Sequence, residues 1–70
     1  MKTIQVRDVT PGDVFLYQAG SEQPLRAWIR CALTKEQEKK RVMAESFYSY
    51  REWVEPGKYL HLEPHTYVLV

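Results

Sequence analysis

Leu25-Arg26-Ala27-Trp28-Ile29-Arg30-Cys31-Ala32-Leu33 is the stretch on which the fold turns. Apolar side chains recur at Leu25, Ala27, Ile29, Cys31 and Leu33, and Arg26, Trp28 and Arg30 fall between them, the period of two of a strand with one buried face. The alternation predicts that the first set faces the core and the second set faces out. A slip of one residue would turn two arginines inward, so the register is strongly specified.

On the N-terminal side, Val14, Phe15, Leu16 and Tyr17 form a short β-branched and aromatic run that reads as a strand covered on both faces. Residues 18–24 contain Gly20, Ser21 and Pro24 and read as a loop. Thr10-Pro11-Gly12-Asp13 is a tight turn: Pro11 presets φ for the second position, and Gly12 supplies the positive φ of a type II third position. Ile4 and Val6 alternate with polar neighbours, which predicts a first strand over residues 3–9. The expected inward set is Ile4, Val6, Val14, Leu16, Ala27, Ile29, Cys31, Leu60, Leu62 and Val68.

On the C-terminal side, residues 34–54 support two readings. As a helix they offer a capping box, Thr34-Lys35-Glu36-Gln37, and an apolar stripe at Met43, Phe47, Tyr50 and Val54. As strands they offer a charged tip over residues 34–40, a β segment over residues 41–47 and an aromatic segment over residues 48–54. The helical stripe covers only the C-terminal half, which favours the strands. Glu55-Pro56-Gly57-Lys58 and Glu63-Pro64-His65-Thr66 read as two more turns, bounding short strands at residues 59–62 and 67–70.

Seventy residues suffice for one small domain, which would bury roughly 60% of its unfolded surface. Large dinucleotide-binding or TIM-type folds are excluded by length. Apolar residues at 44% and charged residues at 27% match a folded globular chain. A net charge of +1 names no polyanionic partner. The single cysteine, Cys31, has no disulfide or CxxC partner, which predicts a reducing, cytoplasmic setting. No apolar run approaches the ~20 residues of a membrane-spanning helix, and no signal peptide is legible. The chain is expected to be a complete small gene product.

The opening Val6-Arg7-Asp8-Val9-Thr10-Pro11-Gly12-Asp13-Val14-Phe15 and the ending Leu60-His61-Leu62-Glu63-Pro64-His65-Thr66-Tyr67-Val68 resemble the two ends of small SH3-like β-barrels. Such barrels include short phage and mobile-element proteins and the KOW-like first domain of elongation factor P. The resemblance implies an all-β, SH3-like barrel of about five strands over residues 1–70, and a binding role in place of catalysis. The glycine-free, charged residues 34–40 depart from the pattern. The resemblance further implies a phage or mobile-element accessory protein that engages a host protein.

The expected binding face is Arg26, Trp28 and Arg30, joined by Tyr48, Tyr50 and Trp53. Trp, Tyr and Arg are the residue types that anchor protein interfaces. The same set would serve a single-stranded nucleic-acid platform, with guanidinium groups on phosphates and the indole under a base; the nearly balanced charge favours a protein partner. A third arrangement has a curled sheet tucking Trp28 under a loop, with arginine stems packed along it. His61, Glu63 and His65 share one strand face at alternate positions, but Pro64 interrupts the strand and a fourth ligand is lacking, so surface polar residues are the ordinary reading. No cofactor is expected. Catalysis has little support: Cys31 lies in the inward register, where a thiol behaves as a small hydrophobe, and no phosphate-binding glycine loop is present.

Overall fold

The computed structural model describes residues 1–46 and 58–70. The chain runs β1 (Thr3–Gln5), a 3-10 turn (Val6–Asp8), β2 (Val14–Tyr17), β3 (Arg26–Arg30), α1 (Lys35–Lys40), β4 (Val42–Ser46), β5 (Tyr59–Leu62) and β6 (Tyr67–Leu69). The strands make one six-stranded antiparallel sheet in the order β1-β6-β2-β3-β4-β5. The fold is mostly β, as expected. A closed barrel is not formed: among the described residues β1 and β5 each have one strand neighbour.

The sheet is nevertheless curled, and its connectivity requires it. β5 and β6 stand four strand spacings apart in the ladder, about 19 Å if the sheet were flat. They are joined by Glu63-Pro64-His65-Thr66, whose Thr66 N–H donates to the Glu63 carbonyl at 2.9 Å. Such a turn holds its ends within about 7 Å. The sheet therefore bends to bring β5 round toward β6, and the start of the chain closes over the gap, with Val6 N–H donating to Thr66 O at 2.8 Å and Arg7 N–H to Pro64 O at 3.2 Å.

The Pro-Gly turn forms as its chemistry dictates. Asp13 N–H donates to Thr10 O at 2.9 Å, and Gly12 takes φ 92°, a conformation in which a Cβ would be strained. The first strand is shorter than residues 3–9. After Gln5 the chain tightens into the 3-10 turn, which sets Val6 and Val9 three apart, and both are buried.

The face of β3 is the reverse of the sequence expectation. Trp28 and Arg30 are buried at 5% and 6% exposure, Arg26 is half-buried, and Ala27, Ile29 and Cys31 are only partly covered. The cause lies in what stands opposite. Trp28 pairs with Phe15 on one side and Ser46 on the other, and Arg30 pairs with Ala44. Small side chains on β4 leave room for the two largest on β3, and Trp28 with Phe15 carries more apolar area than Ala27 and Cys31. The core is Val6, Val9, Phe15, Trp28, Val42, Ala44, Leu62 and Val68, with Ile4, Tyr17 and Leu60 against it. Val6, Leu62 and Val68 were expected there. Val14, also expected inside, is 43% exposed, and Leu16 lies with Ala27 and Ile29 on the partly covered face.

Residues 34–46 combine the two sequence readings. Thr34 caps a single helical stretch through a reciprocal box: Gln37 N–H donates to Thr34 Oγ1 at 3.3 Å and Thr34 N–H to Gln37 Oε1 at 3.2 Å. α1 buries none of its residues, so nothing extends it, and Arg41 returns to extended backbone before β4. The expected aromatic strand over residues 48–54 and the turn at Glu55-Pro56-Gly57 lie outside the described residues. Among the described residues no helix is long and apolar enough to cross a membrane.

Candidate functional site

Arg30 joins three parts of the fold. Its Nη1 donates to the carbonyl of Arg7 at 2.8 Å and to that of Val9, and its Nη2 lies 3.3 Å from Glu38 Oε1. The carbonyls belong to the 3-10 turn and the residue after it; the carboxylate belongs to α1. A buried guanidinium needs such partners, because leaving its charge unpaired in the interior is costly. Its Nε is buried with no partner among the described residues.

Of the expected aromatic and arginine face, Trp28 and Arg30 are therefore buried and not offered at the surface. Trp28 donates from Nε1 to Tyr17 O at 3.3 Å and shares a cleft of about 200 Å³ with Arg26, Ala19, Gln23, Pro24 and Lys58. Residues between β2 and β3 thus line a cleft beside the indole. Arg26 remains beside it, half-buried, and Arg30 is directed toward the 3-10 turn and α1. Tyr48, Tyr50 and Trp53 lie outside the described residues.

What faces outward is the opposite side of the sheet. Val14 pairs with Ile29, Leu16 with Ala27 and with Leu69, and Ile29 with Glu45. These side chains are exposed or half-buried, so one side of the sheet carries an apolar strip interrupted by Glu45. Cys31 sits at its edge, with Cys31 N–H donating to Met43 O at 2.8 Å. Burial first and the Glu45 carboxylate second push its thiol pKa up, against a backbone hydrogen bond from Glu45 that lowers it. The group is a thiol at neutral pH, consistent with a packing role.

Two clefts flank α1. One, of about 380 Å³, has Leu33 and Met43 at its floor and Gln37, Lys40, Arg41 and His61 around it. The other, of about 460 Å³, is lined by Arg7, Arg30, Lys35, Glu38, Lys39 and Pro64. The charged tip expected over residues 34–40 carries no sequence sign that Lys35 and Lys39 line a cleft with Arg7. The capping box signals only the helical phase, which puts Lys35 and Lys39 on one side.

The histidines separate. His61 lies on β5 opposite Met43, whereas His65 Nε2 pairs with Glu63 Oε2 at 3.0 Å in the following turn, both largely exposed. Among the described residues no three metal-competent side chains gather.

Compared with known proteins, the chain matches no family model, no curated protein and no solved structure.

Proposed function

We infer that this protein is a non-enzymatic interaction module that binds another protein through the outer face of its sheet, at the cleft between α1 and β5. The observation that carries this reading is the composition of that cleft. Leu33 and Met43 offer an apolar floor, and Lys40 and Arg41 stand at the rim with His61 opposite. The apolar strip of Val14, Ile29 and Leu16 lies further along the same face, beyond Glu45. Apolar contact surrounded by cations fits an acidic segment carrying one large apolar side chain, the apolar group supplying affinity and the charges orientation and encounter rate.

The curled sheet with its Pro-Gly turn and short strands is compatible with an SH3-like barrel left open along one seam, and such barrels are chiefly binding scaffolds; that is fold-level analogy. The host-protein partner and the phage accessory role rest on the two end motifs, and the cytoplasmic setting on the lone Cys31. An enzymatic role gains no support from Cys31, whose thiol is pushed toward its protonated form.

The test is selection of peptides from a random display library on the immobilised protein. Enriched peptides should carry Asp or Glu around a Leu, Phe or Trp. A synthetic peptide of that kind should lose about tenfold or more in affinity, the loss typical of an interface anchor, when Met43 is changed to Glu or when Lys40 and Arg41 are both changed to Glu. Arg7→Gln, in the other cleft, should leave it unchanged. No enrichment, or equal affinity for the folded Met43→Glu and Lys40→Glu/Arg41→Glu variants, would overturn the assignment.

A further inference from the structure

We propose that the cleft on the other side of α1 binds a phosphate group. Four cations line it, Arg7, Arg30, Lys35 and Lys39, against one lining carboxylate, Glu38. That carboxylate is already engaged, at 3.3 Å from Arg30 Nη2. Among the described residues the ion pairs within 4.0 Å are this one and His65 with Glu63, so Arg7, Lys35 and Lys39 have no carboxylate partner there. Asp8 and Glu63 adjoin Arg7 and Pro64 in sequence, but neither lines the cleft.

The placement of the lysines is not explained by packing. α1 buries no residue, and Lys35 and Lys39 are four apart, a spacing at which like charges repel. Arg7 lines the same cleft, and an anion seated among the three cations would offset their mutual repulsion. Behind them stands Arg30, 6% exposed, its guanidinium held by two backbone carbonyls and Glu38. Fixed in this way it cannot turn into water, so its charge adds to the positive potential of the cleft while Arg7, Lys35 and Lys39 supply the donors. The excess of cations over carboxylate suits a phosphate better than a single carboxylate, and tetrahedral phosphate oxygens can accept from several of these donors together.

Such a phosphate comes from one of two sources, a free phosphorylated small molecule or the backbone of a single-stranded nucleic acid. The experiment titrates the protein with pyrophosphate by calorimetry and with labelled oligothymidylate by fluorescence anisotropy, across a range of salt. Variants are Lys35→Gln with Lys39→Gln, Arg7→Gln, and Lys2→Gln, which lines neither cleft. The expected result is saturable binding of at least one probe, weakened about tenfold by the Lys35/Lys39 pair through loss of charge-assisted contacts, and unchanged by Lys2→Gln. Tighter oligothymidylate binding, with a log–log salt slope of about −0.7 per phosphate contact that flattens in the double variant, identifies a nucleic-acid backbone. Pyrophosphate binding without oligothymidylate binding identifies the free ligand. Absence of saturable binding of both probes overturns the proposal, as does equal affinity of wild type and the folded double variant.

Discussion

Trp28→Ala should come close to unfolding the protein, while Ile29→Ala, one residue along, should be tolerated. The indole is 5% exposed and lies between Phe15 and Ser46 in the ladder. A tryptophan buries about 150–250 Å², which at about 25 cal/mol per Å² corresponds to roughly 4–6 kcal/mol. Aromatic-to-alanine truncations in cores cost about 3–5 kcal/mol, and about 4 kcal/mol is the figure adopted. The Nε1 bond to Tyr17 O is 3.3 Å long and adds little. Marginal stability of about 0.05–0.15 kcal/mol per residue gives a chain of this length roughly 4–10 kcal/mol. Trp28→Ala therefore removes between two fifths and all of it. Ile29 is only partly covered on the outer face, so Ile29→Ala should cost about 1–2 kcal/mol, less than a fully buried truncation. Urea titrations followed by far-UV circular dichroism would report both. A larger loss for Ile29→Ala than for Trp28→Ala, or a Trp28→Ala midpoint within the equivalent of about 1 kcal/mol of wild type, would refute the placement of the indole in the core.

Two further outcomes are expected. Arg30→Ala should cost about 3 kcal/mol in urea unfolding because it strips two carbonyls and Glu38 of their donor, whereas Glu38→Ala should cost about 1 kcal/mol or less, Glu38 being 29% exposed; equal losses would place the stabilisation in the ion pair and not in the carbonyl bonds. Cys31 should react with iodoacetamide more slowly than a free thiol at mildly alkaline pH, with its rate rising at higher pH than the free thiol's, because burial and Glu45 both disfavour the thiolate; Glu45→Gln should shift that rise toward lower pH, and a profile matching free cysteine would remove the cause assigned.

The turns were legible from sequence because their chemistry is local. Pro11 and Gly12 dictate a reversal whatever surrounds them, and Glu63-Pro64-His65-Thr66 behaves alike. The existence of β2, β3, β4, β5 and β6 followed from short apolar runs between such breakers. The face of β3 did not follow, because alternation counts apolar positions without weighing their size or what stands across the ladder. Ala44 and Ser46 are what admit Arg30 and Trp28, and they lie more than a dozen residues away in sequence. The same non-local cause hid the phosphate-site candidate. Arg7 shares a cleft with Lys35 and Lys39 because the 3-10 turn and the residue after it each give a carbonyl to Arg30 and α1 gives it Glu38. A buried arginine reads from sequence as a reason against a register; here its partners make it part of the interior.

Solvent paramagnetic relaxation measures most directly which face of the sheet is available to a partner. With a soluble gadolinium chelate, side-chain protons of Val14, Ile29 and Met43 should relax faster than those of Phe15, Trp28, Val42 and Val68, in keeping with a buried Trp28 face and an open outer face. Fast relaxation of the Trp28 indole with protection of Val14 and Ile29 would contradict the account and return the binding surface to the arginine side of β3.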